Sequence, residues 1–363
     1  MLAGLYKKAV PALIAALERH RAETNPLADQ PSVGVLKFAL LELGELGEMA
    51  DYGAQSVAAS QSGIEREESG GWPALLDDLL AAAGGLDGAE PARNKDPKNS
   101  PDRHYSATPF TYDKVPQRDA RFPDPYNMGV NAEALLYDPA QPPEPKVLLM
   151  FYKWLREIDV PEMMASILTE TKDRPWGCYR DMPRQLWDEA RHAMMGEVGF
   201  ISLGVDWTKC MVNFPWSLGL NTQLTGKERH GVLYFIEQGL MPKTGKRFEW
   251  RTAQAAHHAL STLFQDYDWA GEVLHARVGR DWYMSQFESP KEAVEYGDRA
   301  WSKVLSGWRQ WREEGLTQHR NWWPDVYLAW CRAQNLAPEE KVLAFATTYE
   351  TQRADLQALA GSA

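Results

Sequence analysis

Cysteine is scarce in this chain: Cys178, Cys210 and Cys331 are widely spaced and odd in number. No Cys-x-x-Cys pair occurs, which argues against a zinc ribbon or thiolate cluster, and the three thiols form no disulfide framework. Long apolar runs are also missing; none approaches the ~20 residues that a bilayer-spanning helix needs. Near the start, Lys7-Lys8 precedes the apolar run Ala9–Leu17. Glu18-Arg19-His20-Arg21 then follows where a secretory signal would place small residues for cleavage. Basic charge is in deficit, with 39 Lys and Arg against 50 Asp and Glu and a net charge of −11. That balance argues against a general binder of nucleic acid or anionic membrane. Together these absences point to a cytoplasmic protein in a reducing compartment.

Tryptophan and proline are plentiful. Many of the 15 Trp fall at expected loops or helix ends (Trp72, Trp176, Trp207, Trp216, Trp322, Trp323), where a large ring fills space or walls a pocket. Proline punctuates residues 86–145, a polar run that also carries Tyr105, Phe110, Tyr112, Phe122 and Tyr126. Proline blocks helix and the aromatics need cover, so this stretch is expected to be extended and to lie against the folded body.

Helical periodicity runs through most of the remainder. It predicts helices over residues 1–22, with Pro11 a weak point, from about Val33 through Met49, and over Trp72–Ala83 with Gly84-Gly85 as the stop. From Lys146 it predicts four longer helices. The first reaches about Thr171 and is kinked or divided at Pro161, with Asp159 as an N-cap. The others are Pro183–Glu197, Lys227–Met241 and Trp250–Met284. Their connections are short (Lys172–Met182), long (Phe200–Thr225) and short, as an antiparallel four-helix bundle with one crossover requires. Two more helices are expected at Lys291–Glu314 and about Pro338–Leu359, joined by the Trp-rich Asn321–Trp330. The expected organisation is an all-α chain: an N-terminal helical region (1–85), a Pro-rich connection (86–145), an antiparallel four-helix bundle with one long crossover (146–285) and a C-terminal helical extension (286–363).

Two segments carry chemistry within that frame, Asp188-Glu189-Ala190-Arg191-His192 and Glu272-Val273-Leu274-His275. Residues three apart share a helix face, so each Glu-x-x-His directs a carboxylate and an imidazole at one spot. A dinuclear bundle site takes two such motifs and one glutamate from each of two further helices. Glu237 stands in the apolar run Leu233-Tyr234-Phe235-Ile236, where a carboxylate is costly unless paired or metal-bound. The first helix offers Glu157, Glu162 and Glu170. With an 11-residue turn before Pro183, Glu162 matches the depth of Glu189 best and Glu157 next. The expected ligands are therefore Glu162, Glu189, His192, Glu237, Glu272 and His275. Asp188 is expected to support the imidazole of its own motif, and Asp268 to stand in where the second motif has Gly271. That asymmetry predicts the weaker ion at the second motif. His230, two turns before Glu237, is a candidate extra ligand. The Glu42, Glu45 and Glu48 series lacks histidine and reads as a solvated stripe.

The stretches Arg156–Glu162, Leu186–His192, Ile236–Leu240 and Glu272–Trp282 resemble a ferritin-like family of the di-iron superfamily, itself catalogued as a domain of unknown function. The resemblance covers about residues 146–285 and implies the same six ligands. Gly271 departs from it, since the family usually has an acid there. Oxygen-rich coordination with one imidazole per ion suits two iron ions, and manganese is compatible with either position. The resemblance implies a non-haem di-iron oxygenase or oxidase that activates dioxygen to oxidise a small organic substrate, served by an external electron donor. A homodimer is compatible with this reading. The alternatives are iron or peroxide handling, against which the 223 residues outside 146–285 speak, and a tRNA-modifying hydroxylase, which the acidic charge disfavours. Tyr234 and Tyr267 stand near the ligand stretches as buried hydrogen-bonding or radical-carrying groups.

Overall fold

Proline and glycine set many of the helix boundaries in the computed structural model. It describes residues 4–60, 63–91, 111–118, 120–212, 215–240, 245–305 and 308–348, and every regular element among them is helical. The chain divides into two compact units, Met1–Phe110 and Thr111–Ala363. That division falls inside the proline-punctuated stretch, of which residues 92–110 lie outside those described.

In the first unit a π-helical turn, Leu5–Ala9, runs into α1 (Val10–Glu23), followed by α2 (Gln30–Ser60) and α3 (Gly63–Ala83). Pro11 sits in the first turn of α1, directly after the π-helical turn, and the chain stays helical through it. Gly84 and Gly85, at φ 85° and 82°, end α3 in the left-handed region, and the Gly85 N–H reaches back to the Leu80 carbonyl. Glu42, Glu45 and Glu48 are exposed.

The second unit holds both Glu-x-x-His motifs. After the short α4 (Ala132–Leu136) comes α5 (Pro143–Arg156), in which every residue from Pro145 to Leu155 is buried. It stops at Glu157, and α6 (Asp159–Glu170) begins two residues later. Pro161 explains the break, because its ring would collide with a helical carbonyl at Glu157, four residues back. The helix is thus divided, not kinked. The N-cap is Ile158 without a side-chain cap bond, while Asp159 is occupied by Arg118 at 2.5 Å.

Pro183 does not open the next helix, as the sequence suggested. It lies inside α7 (Trp176–Ser202), so the turn after α6 spans only Thr171–Pro175. After α8 (Pro215–Gln223) comes α9 (Gly226–Leu240), near the expected bounds. The expected single helix over Trp250–Met284 is two, α10 (Lys246–Ala255) and α11 (Ala259–Trp282). His257 adopts φ 50° between them, and His258 Nδ1 accepts from the Ser261 N–H, capping α11. Downstream lie α12 (Pro290–Leu305), α13 (Trp308–Glu313), α14 (Trp323–Ala333) and α15 (Glu340–Leu343). The Trp-rich segment is therefore largely helical, and Ala344–Thr348 are not. The rest of the helix expected up to Leu359 lies outside the described residues.

Four of these helices touch in a closed ring: α6 on α7, α7 on α11, α11 on α9 and α9 on α6. Glycine lets two further helices, α5 and α12, come close to the ring. A Cβ on Gly196 of α7 would stand 2.3 Å from the Leu155 nitrogen of α5. Similarly, one on Gly297 of α12 would stand 2.1 Å from the Gly231 carbonyl oxygen of α9. Two of the four apolar clusters among the described residues are large. One gathers α5, α14 and the end of α7; the other gathers Met163, Met164 and Ile167 of α6 with residues of α9, α11 and α12. Glu157 is the joint between α5 and α6. Among the described residues no helix is long and apolar enough to cross a membrane.

Candidate metal centre

The helical spacing does locally what it promises. His192 lies one turn after Glu189 on α7, His275 one turn after Glu272 on α11, and all four side chains are buried. Glu237 joins them from α9, 3% exposed. From the first helix it is Glu157 that arrives. Glu162 instead binds the guanidinium of Arg118, with Nε–Oε1 at 3.1 Å and Nη2–Oε2 at 2.9 Å, and accepts from the Ser217 hydroxyl at 2.5 Å. The cause is the length of the turn. Glu157 stands 13 residues before Glu170, the end of α6, and Glu189 stands 13 residues after Trp176, the start of α7. Equal distances from a short turn put two residues at equal depth. The longer turn expected from Pro183 had selected Glu162.

Two groups form, each with ligand atoms within 4.8 Å of one another: Glu157, His192, Asp268 and Glu272, and beside it Glu189, Glu237 and His275. The motifs interlace. One group takes the imidazole of the first motif and the glutamate of the second, and the other takes the converse. The question of which motif holds the weaker ion therefore dissolves. The two imidazole centroids are 5.8 Å apart.

Both rings are oriented alike. Nδ1 of His192 faces Glu157 Oε2 at 3.1 Å and Glu189 Oε2 at 3.5 Å, while its Nε2 faces Asp268 Oδ1 at 3.7 Å. Nδ1 of His275 faces Glu189 Oε1 at 2.9 Å and Glu272 Oε2 at 3.7 Å, while its Nε2 faces Asp188 Oδ2 at 3.4 Å. Asp188 thus meets the imidazole of the other motif, not of its own. Gly271 leaves the flank of His192 open: a Cβ there would lie 3.6 Å from Nε2. Asp268 reaches that flank from one turn earlier.

Each of these aspartates has its own cation. Arg191 binds Asp188, and Lys246, the first residue of α10, places Nζ 2.6 Å from Asp268 Oδ2 and 3.1 Å from Glu272 Oε1. Lys246 is fully buried, as is Trp154, whose indole N–H donates to Asp268 Oδ2 at 2.9 Å. Gln185 donates to Glu237 Oε1 at 3.0 Å. Sequence reasoning found neither Lys246 nor Gln185, because a helix-start lysine and a lone glutamine carry no local signal. Glu157 was within reach once the turn length was known.

Electrostatically the cluster is a trap for cations. Burial disfavours the charged imidazoles, but Glu157 and Glu189 around His192, and Glu189 and Glu272 around His275, push both up to about 11. Burial, together with Glu272 and Glu189, raises Glu237 well above the usual carboxylate range. Burial also opposes ionisation of Glu272, yet Lys246 holds it well below that range. Many of the facing atoms have no aligned hydrogen-bond partner among the described residues: Oε2 of Glu157, Glu237 and Glu272, Oε1 of Glu189, both ring nitrogens of His192 and Nδ1 of His275. Buried polar atoms are seldom left so. A set of buried oxygens and imidazole nitrogens converging in this way could hold metal ions.

The remaining candidates lie elsewhere. His230 packs its ring 5.3 Å from that of Tyr283 and belongs to neither group. Tyr234 directs its hydroxyl to Met284 Sδ at 3.4 Å. Tyr267 is exposed and not buried as expected, and it stands edge-on to His192 with ring centroids 6.4 Å apart.

Comparison with known proteins adds no relative: no family model, no curated protein and no solved structure matches this chain.

Proposed function

We propose that this cluster is a carboxylate-bridged dinuclear metal centre in a ferritin-like bundle, and that the protein is a non-haem di-iron oxygenase or oxidase. The observation that carries the reading is the interlaced pair of groups, in which buried carboxylates and imidazoles of both motifs converge with Glu157 and Glu237. Charge supports it. Asp188 is paired with Arg191 and Asp268 with Lys246, which leaves Glu157, Glu189, Glu237 and Glu272 as four carboxylates against two dications. Without metal, two protonated imidazoles and the raised Glu237 carboxyl balance this charge, and bound ions would take the place of those protons.

Glu157, His192 and Glu272 would hold one ion, with Asp268 alongside, and Glu189, Glu237 and His275 the other. Two iron ions, when bound, supply the electrons and open coordination positions that activate dioxygen. The chain does the positioning. Asp188 and Asp268 fix the outward nitrogens of the imidazoles, so that Nδ1 of each faces the centre. Gln185 holds one oxygen of Glu237, and Lys246 anchors Asp268 and Glu272. Burial of Glu189, His192, Glu237, Glu272 and His275 limits the access of bulk water to them.

Metal analysis of protein expressed with supplemented iron and manganese tests the centre, and about two ions per chain are expected. Iron and manganese at background level would remove this reading. Rapid mixing of the reduced protein with dioxygen then separates an oxygenase, which couples oxygen decay to an added organic substrate, from an iron store, which does not.

A further inference from the structure

The exposed apolar side chains of the second unit are not scattered. Trp187, Met194, Val198 and Ile201 stand out from α7. Leu263, Tyr267 and Val273 stand out from its neighbour α11. All seven are between 43% and 62% exposed, and both helices carry a Glu-x-x-His on their buried side. Elsewhere in that unit, among the described residues, only Val115, Trp176, Leu316 and Leu336 are large, apolar and exposed.

On α7 the outward positions 187, 191, 194, 198 and 201 alternate steps of four and three, the spacing of a seam that packs on another helix. Arg191 is the one charge in that seam. Its side chain is still 40% exposed, although it binds Asp188 and lies over the Tyr267 ring. Glu197, beside the seam, is partly buried and has no cation of its own among the described residues. A large apolar side chain half exposed presents on the order of 100 Å². Seven of them approach the ~800 Å² that each partner of a stable interface buries, more than the few hundred Å² usual for one patch on a monomer.

We infer that this face joins two copies of the chain, with α7 packed antiparallel on the partner's α7 about a two-fold axis at Met194. In that register the seam complements itself. Trp187 meets the partner's Ile201, Ala190 meets the partner's Val198, and Arg191 meets the partner's Glu197, each pair being made twice. The second helix fits the same axis. His192 beside Gly271 and Asp188 beside His275 make α7 and α11 antiparallel and set Met194 level with about Ala270. About Ala270, Tyr267 meets the partner's Val273, and the small side chain of Ala270 meets its own copy. A cation and a carboxylate three residues to either side of one point are what a two-fold partner answers, which favours a second copy over an unrelated protein. Dimerisation through this face is independent of the dinuclear reading.

Light scattering of the full chain at micromolar concentration tests this, and a mass twice the 41.1 kDa of one chain is expected. Ile201→Glu puts a charge into the seam and should weaken the dimer about a hundredfold, with helical content by circular dichroism unchanged. Met194→Cys should form an interchain disulfide on mild oxidation, whereas Leu316→Cys, exposed outside α7 and α11, should not. Arg191→Glu should weaken the dimer about tenfold or more, and Arg191→Glu combined with Glu197→Arg should restore it. That rescue separates the pairing across the axis from the loss of the Asp188 contact. The first two variants keep the test open if Arg191→Glu does not fold. A monomer would overturn the inference, as would a dimer that Ile201→Glu leaves intact and Met194→Cys does not cross-link.

Discussion

Nε2 of His275 faces Asp188 Oδ2 at 3.4 Å, although the two residues are 87 apart and sit on different motif helices. The acid that precedes one Glu-x-x-His therefore serves the imidazole of the other. Asp268 does the same for His192, at 3.7 Å. The pairs differ in their surroundings: Arg191 on Asp188 is 40% exposed at its side chain, and Lys246 on Asp268 is 1% exposed.

That difference makes Lys246 the more consequential cation. Lys246→Met leaves Asp268 and Glu272 buried without their ammonium, and removing one partner of a buried ion pair costs about 3–5 kcal/mol. Denaturant unfolding of the metal-free protein should show a loss of that order. Added manganese should recover more stability in the variant than in the parent, because the ions replace the missing charge. Equal stability of variant and parent without metal would contradict this role.

The choice between Glu157 and Glu162 is directly measurable. Glu157→Ala should lower the metal content by about one ion per chain, whereas Glu162→Ala should leave it intact and loosen the packing around Arg118. The opposite pattern in elemental analysis would restore the assignment that sequence spacing favoured.

Metal uptake should be coupled to proton release. In the metal-free cluster His192 and His275 are held protonated, with pKa pushed up to about 11 by the surrounding glutamates against the effect of burial. A metal ligand must be a neutral imidazole or an ionised carboxylate, so binding expels the two imidazole protons and adds that of Glu237, about two to three per pair of ions. Apparent affinity should therefore rise with pH throughout the range below 11 and fall as acid is added. Titration in buffers of different ionisation enthalpy reads the proton count, and a pH-independent affinity between 6 and 8 (on the order of the neutral range) would exclude the coupling.

His230 gives a stability prediction away from the centre. Burial lowers its pKa to about 4, below the ordinary value of 6.5. The folded protein thus holds it neutral while the unfolded chain protonates it. Stability from this source is complete above pH 6.5 and is lost as pH falls toward 4, by about 3 kcal/mol in all. His230→Phe should flatten the unfolding free energy across that window. An unchanged pH slope would show that other groups carry it.

What the sequence determined by itself was local. Apolar periodicity made the chain helical, and three-residue spacing put Glu189 with His192 and Glu272 with His275. The apolar neighbours of Glu237 marked it as a buried charge with something to answer it. These follow from the geometry of a single helix, which the residues along it dictate. What only the tertiary structure decided was which helix faces meet, and at what depth. Pro183 is tolerated inside α7, so the turn before it is short, and the first-helix carboxylate is Glu157 and not Glu162. Crossing of the motif helices pairs Asp188 with His275, and α10 delivers Lys246 to Asp268 and Glu272. His230 shares a helix with Glu237 yet turns to Tyr283. The two motifs thus become a single interlaced centre, because contacts between helices depend on turn lengths and packing that no short stretch of sequence encodes.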